Sequence, residues 1–346
     1  MIKTPTTFVI GAGAGVPYGY PTGEQLSRII MGDENSFISG PVANRRMKKV
    51  ASTIGPLVSQ LSLKGTEFAA LQTALRYASP LSIDALLMQR EEFVDTGKLA
   101  IAAALLPFEQ SDNAALFPMS GDWIGHLVHA MYGDGKGAPE KTVRIVTFNY
   151  DRLIEHRLTL ALSALRGITL DQAWEAVQKI PLVHVYGPLG EYSPTPKEGA
   201  VCWSPTTESL SSPGRIVQAA QSIRLVHERG GGEDITPEVE TARRFISESR
   251  RVWFLGFGFD ATNVSRLSSS LAIGTQGFGE AVLGSAYGMT EGEVGLAKRA
   301  ISLAFCGPTG TTRAGIPEMA NLKLNRIDLR DADCLMALRL CASHLG

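Results

Sequence analysis

The sequence predicts an α/β fold, a Rossmann-like parallel sheet with a large helical insertion after the first strand. Three observations carry that expectation. Short runs rich in Val, Ile and Phe recur between helical stretches, and continuous apolar runs suit strands covered on both faces. The first run leads straight into a glycine-dense turn, a common entry to a nucleotide-binding helix. More than a hundred residues then precede the second run, and they read almost wholly as helix.

Thr7 to Ile10 is the first expected strand. Gly11, Gly13 and Gly15 follow and remove side chains where the backbone turns sharply, which leaves peptide N–H groups to approach an anion. Val16 stands where a dinucleotide fingerprint places its last glycine, and a structural turn without a ligand is the plain alternative. A second turn, Gly19 to Gly23, delays the first helix to about Glu24. Helices are expected over Glu24–Met31, Pro41–Thr53, Thr66–Tyr77, Ile83–Asp95, Lys98–Leu106 and Gly121–Met131, with residues 32–140 as the insertion and Gly133–Pro139 as its exit. The later strands are expected at Val143–Phe148, Leu182–Tyr186, Val252–Phe257 and Glu280–Leu283, and loops at Glu191–Gly199 and Gly230–Asp234. Residues 1–346 read as one domain without internal repeats.

The 33 basic and 34 acidic side chains are scattered, so neither a nucleic-acid backbone nor a membrane surface is an expected partner. Cys202, Cys306, Cys334 and Cys341 form no Cys-x-x-Cys pair, and no metal site is expected. The longest apolar run, Leu99 to Phe108, is about half a membrane span. With no leader-like segment at the start, a soluble cytoplasmic protein is expected.

Candidate chemistry gathers at strand ends. In Thr147-Phe148-Asn149-Tyr150-Asp151 a strand gives way to a helix, which places Asn149 and Asp151 at the carboxyl edge where open α/β sheets bind ligands. One of the two is expected to cap the helix: Asp151 takes that role and Asn149 faces the ligand. In His184-Val185-Tyr186-Gly187 the histidine and tyrosine are two apart and share a strand face. His184 is the one histidine placed near such an edge. Gly256 and Gly258 let a ribose or adenine lie against the backbone, with Asp260 or Asn263 as hydroxyl partners, and a plain turn with a helix cap is the alternative.

Gly11-Ala12-Gly13-Ala14-Gly15 with Gly19-Tyr20-Pro21-Thr22-Gly23, Ser82-Ile83-Asp84, Thr147 to Asp151, His184 to Gly187 and Gly256-Phe257-Gly258 occur in the order found in the sirtuin-like NAD hydrolases. The chain resembles that family, many of whose bacterial members act in antiphage defence. The resemblance implies NAD as substrate, with no further cofactor. It also implies Asn149 as holder of the nicotinamide ribose and attacking water, His184 as catalytic histidine, and Asp151 as the carboxylate beside them. Gly11, Ala12, Gly13, Gly15, Pro21, Thr22, Asp84, Tyr186, Gly187, Gly256, Gly258 and Asn263 are then the binding residues.

Three departures qualify the match. Tyr186, not His184, directly precedes the glycine where protein-deacylating sirtuins carry their histidine. The four-cysteine zinc module of those enzymes cannot be built here. Thr22-Gly23-Glu24 replaces their Asp-Phe-Arg.

The implied reaction is hydrolysis of the nicotinamide–ribose bond to nicotinamide and ADP-ribose, through an oxocarbenium-like transition state. Such an enzyme is expected to be held off until triggered, as a homo-oligomer or beside a separate ATPase or nuclease. No Gly-x-x-x-x-Gly-Lys-Ser/Thr motif occurs in this chain. The alternatives are a module that senses NAD or ADP-ribose without turnover, and an NAD- or FAD-dependent oxidoreductase.

Overall fold

The structure, a computed structural model, describes residues 1–37, 42–61, 65–80, 82–110, 114–133, 139–195, 197–198, 201, 203, 212–224, 235–268, 281–306 and 327–345. Six parallel strands form one sheet: β1 (Thr6–Ile10), β2 (Val143–Thr147), β3 (Leu182–His184), β4 (Arg251–Leu255), β5 (Ala281–Ser285) and β6 (Ile327–Arg330). Their order is β3-β2-β1-β4-β5-β6, the doubly wound Rossmann arrangement. β1 lies at the centre, with Phe8 in register with Ile145 on one side and Trp253 on the other. Every residue of β1 is buried, as an apolar run between two neighbouring strands and two helical layers requires.

Between β1 and β2 the described chain forms α1 (Gly23–Ile30), α2 (Val42–Leu61), α3 (Gly65–Ala78), α4 (Ile83–Leu87), α5 (Val94–Leu105) and α6 (Trp123–Tyr132). The later helices are α7 (Leu153–Arg166), α8 (Leu170–Val177), α9 (Pro213–Ser222), α10 (Pro237–Ser247), α11 (Ala261–Arg266), α12 (Glu291–Cys306) and α13 (Cys334–Leu340). α5 is the hub of the helices before β2: it packs on α1, α2 and α3 and also on α9, while α6 packs on α7. An Ala-rich run, Ala102-Ala103-Ala104, lets α5 sit close to its neighbours.

Several expected boundaries move. α2 runs on past Thr53 through Pro56 to Leu61, because Ile54 and Val58 are buried and their packing outweighs the proline's lost hydrogen bond. The single helix expected over Ile83–Asp95 breaks into α4 and a 3-10 turn at Glu91–Phe93, and α5 starts at Val94. β6 is absent from the sequence reading. It is short and alternates buried Ile327 and Leu329 with Asp328 and Arg330, so it presents no continuous apolar run. The expected loop at Gly230–Asp234 lies outside the described residues, as does most of the Gly133–Pro139 exit. Among the described residues no helix is long and apolar enough to cross a membrane.

Candidate functional site

The strand order reverses between β1 and β4, and the crevice beyond their carboxyl ends is where open α/β sheets take ligands. Two glycine turns meet there. Gly11 N–H donates to the Leu255 carbonyl at 3.0 Å and Gly13 N–H to the Gly256 carbonyl at 2.9 Å. A Cβ on Gly11 would stand 2.6 Å from the Gly256 oxygen, and one on Gly256, itself at φ +58°, would stand 1.9 Å from the Ala14 nitrogen. These glycines serve backbone-to-backbone packing. The expectation that Gly11 and Gly13 present free amides to an anion is therefore corrected, since a neighbouring strand's turn takes both. Gly15 is held by a side chain, with its Cβ position 2.9 Å from Cβ of Tyr20.

The first turn continues as a 3-10 helix, Ala12–Tyr18, before α1 begins at Gly23. Thr22 forms a capping box with Gln25: its hydroxyl accepts from Gln25 N–H at 3.2 Å and its own N–H donates to Gln25 Oε1 at 2.9 Å. Both polar groups of Thr22 thus serve α1, and Pro21 is buried beside it. Gly187 is also structural. Its φ is +71°, and a Cβ there would meet the Ser222 carbonyl oxygen at 2.2 Å. Gly258 differs, being exposed with open space where a Cβ would stand.

Asn149 follows β2 and is 8% exposed. Its Nδ2 donates to the Gly11 carbonyl at 3.3 Å, which ties the end of β2 to the turn after β1. Its Oδ1 is buried without a hydrogen-bond partner. A buried amide oxygen left unpaired costs about 1–3 kcal/mol, so this orphan acceptor marks a place where a donor belongs. Asp151, one residue before the N-cap position held by Arg152, accepts from Leu153 N–H at 3.2 Å and so serves the first N–H of α7. Burial, reinforced by the nearby Glu109 charge, pushes its carboxyl up to about 7.

His184 does not stand as expected. It ends β3, while Tyr186 lies beyond the strand in a turn closed by Gly187 N–H on the His184 carbonyl, so the two share no strand face. The imidazole is 6% exposed and both nitrogens are engaged: Nδ1 donates to the Asn149 carbonyl at 2.8 Å, and Nε2 lies 2.8 Å from Glu155 Oε1. Burial opposes charge on the ring, yet the Glu155 carboxylate and the bond to Asn149 hold its pKa above the ordinary value. Doubly bonded in this way, His184 has no nitrogen free to accept a proton from water. It fixes the main chain of Asn149. Glu155, which completes that strut, carries no sequence signal, because an acid in a helix's first turn is what the helix dipole favours anywhere.

A second cluster joins residues from opposite sides of the crevice. The Tyr186 hydroxyl donates to Asn263 Oδ1 and accepts from Arg266 Nη1, and Arg266 Nη1 also reaches Asn263 Oδ1 at 3.2 Å. Tyr186 stacks on Tyr150 at 5.9 Å, and the Tyr150 hydroxyl donates to Asp84 Oδ1. Phe148 packs edge-on against Tyr186 and Phe257, so an aromatic wall lines this end of the sheet. Asp84, through Tyr150, and Asn263 directly are thus linked to Tyr186, whereas Asp260 caps α11. A cavity of about 1020 Å³ lies elsewhere, between α1 and the end of α3 beside Arg28, Asp33, Arg76 and Ser79.

Beneath the site, the fully buried Arg152 pairs with Glu109 and donates from Nη1 to the carbonyls of Glu191 and Val201. Neither partner of this ion pair is marked by any local motif. Among the described residues no group of His, Cys, Asp and Glu is gathered for a metal ion. No protein-family model matches the chain, and no curated protein matches it.

Proposed function

We propose that the chain binds NAD across the carboxyl edge of its sheet and hydrolyses the nicotinamide–ribose bond, giving nicotinamide and ADP-ribose. The observation that carries this reading is the amide of Asn149, held by Gly11 at the topological switch point with its oxygen unpaired. The Rossmann strand order and the convergence of Asp84, Tyr186 and Asn263 on the same edge support it.

Asn149 Oδ1 accepts from a ribose hydroxyl or from the attacking water. As the C1′–N bond breaks, its electron pair leaves with nicotinamide, which departs neutral and needs no acid. Water oxygen bonds to C1′, and its proton passes to a base. In this arrangement the base is Asp151, two residues along the same turn, whose pKa of about 7 suits acceptance at neutral pH. His184 positions Asn149 through its carbonyl and does not touch the substrate.

The test is release of nicotinamide from NAD by the purified chain, alone and with candidate activators. Asn149→Ala is expected to abolish release. Unchanged release in that variant would sink the reading.

A second reading, a module that senses NAD or ADP-ribose without turnover, is favoured by the engagement of both His184 nitrogens. Saturable NAD binding with no nicotinamide released under any condition selects it. On the hydrolase reading, activity harmful to the host cell is held off in a homo-oligomer or by a separate ATPase or nuclease, in the manner of an antiphage effector.

A further inference from the structure

Arg266 ends α11 on the β4 side of the crevice, yet its guanidinium meets Tyr186, which follows β3. Those strands are three spacings apart in the sheet, about 14 Å, so the contact passes over the ends of β1 and β2. The guanidinium thus ties a residue that follows β3 to the helix that follows β4. Arg266 is 8% exposed, and its partners are a phenol, an amide oxygen and the Met88 thioether at 2.8 Å. Among the described residues no carboxylate oxygen lies within ion-pairing distance of it. Asp84, whose charge reaches the guanidinium, is occupied by the Tyr150 hydroxyl.

A buried cation bonded only to neutral groups is costly, and a guanidinium fork is shaped for phosphate oxygens. The two amides that would otherwise cradle a phosphate, Gly11 and Gly13, are spent on the β4 turn. Gly258 leaves open space on the same side of the crevice.

We infer that Arg266 is the anion-binding residue of this edge and takes the diphosphate of a nucleoside diphosphate, with Tyr186 and Asn263 holding the guanidinium in place until the ligand arrives. The ligand's identity rests on the dinucleotide reading above; the anion site stands on the geometry of Arg266.

The test is calorimetric titration of the full chain with ADP-ribose, ADP, inorganic pyrophosphate and adenosine. The native chain is expected to bind the three diphosphates. Arg266→Gln is expected to weaken each by about 10- to 100-fold and leave adenosine unchanged, as loss of a charge-assisted pair predicts. Arg266→Lys keeps the charge without the fork and is expected to fall between. Tyr186→Phe removes one of the two oxygens that hold the guanidinium and keeps its charge and fork, so it is expected to weaken pyrophosphate binding by clearly less than Arg266→Gln does.

Equal pyrophosphate affinity in Arg266→Gln, equal loss in Tyr186→Phe, or no binding of ADP and pyrophosphate by the native chain overturns the assignment. Nicotinamide release is measured alongside. Diphosphate binding lost in Arg266→Gln without any nicotinamide release upholds this site and removes hydrolysis, whereas release with unaltered diphosphate affinity in Arg266→Gln does the reverse.

Discussion

A carboxyl group buried among other acids resists ionisation, and at this site Asp151 is that group, shielded from water and facing the charge of Glu109. Its folded pKa of about 7 lies above the ordinary 3.8, so the folded state holds the proton more tightly than the unfolded chain. The stability this confers is complete below about pH 4 and is lost as pH rises through 7. Asp151→Asn keeps an acceptor for Leu153 N–H and removes the titration. The variant is expected to match the native chain near pH 4 and to exceed it at pH 8, by up to about 4 kcal/mol at roughly 1.4 kcal/mol per unit. Denaturant melts across that range check this. On the proposed hydrolase reading activity runs the other way: with Asp151 as proton acceptor, nicotinamide release is expected to rise about tenfold per unit below pH 7 and to level above it. A profile in Asp151→Asn that keeps the same inflection would assign the base elsewhere. His184 adds to the stability trend, because a ring whose pKa is raised by Glu155 also loses its stabilising charge as pH climbs past that value.

Elements are set by local rules wherever the local rule meets no opposition. Thr22 and Gln25 close a capping box on α1, and Thr22→Ala is expected to cost about 1 kcal/mol, read as a lower denaturation midpoint. Lost ADP-ribose affinity at unchanged stability would instead assign Thr22 to the ligand. The same rules make much of the fold legible: β1, β2, β4 and β5 are covered on both faces and announce themselves as apolar runs. β6 does not, because an edge strand four residues long needs only two buried side chains. The site divides in the same way. Asn149, Asp84, Tyr186 and Asn263 stand at strand ends or helix starts, where a polar or aromatic residue breaks the apolar pattern. Glu155, Arg152, Glu109 and Arg266 sit in stretches that read as ordinary charged helix faces or turns. Their partners lie 29, 43, 43 and 80 residues away, at separations no periodicity reports. His184 misleads for the same reason, since its position at the strand end is legible and its partner on α7 is not.

At the scale of the whole molecule, the Glu109–Arg152 pair joins layers that the chain visits at different times. Glu109 follows α5, Arg152 precedes α7 at the sheet edge, and the carbonyls of Glu191 and Val201 belong to the segment after β3. Both side chains are shut off from water, so the pair's attraction is set against the cost of desolvating two charges, and its removal is asymmetric. Glu109→Gln leaves Arg152 charged and buried and is expected to cost about 3–5 kcal/mol of stability. Glu109→Leu combined with Arg152→Met removes both charges and is expected to recover most of that loss, while the Glu191 and Val201 carbonyls lose their donor. If the pair is what holds the sheet edge to α5, hydrogen exchange in Glu109→Gln should rise around residues 149–153 and 189–193 before it rises in β1 and β4. Because Asn149 lies on that same turn, nicotinamide release should fall in Glu109→Gln beyond what its unfolded fraction explains. Exchange that rises uniformly, with activity tracking the folded fraction alone, would make the pair a general brace with no bearing on the site.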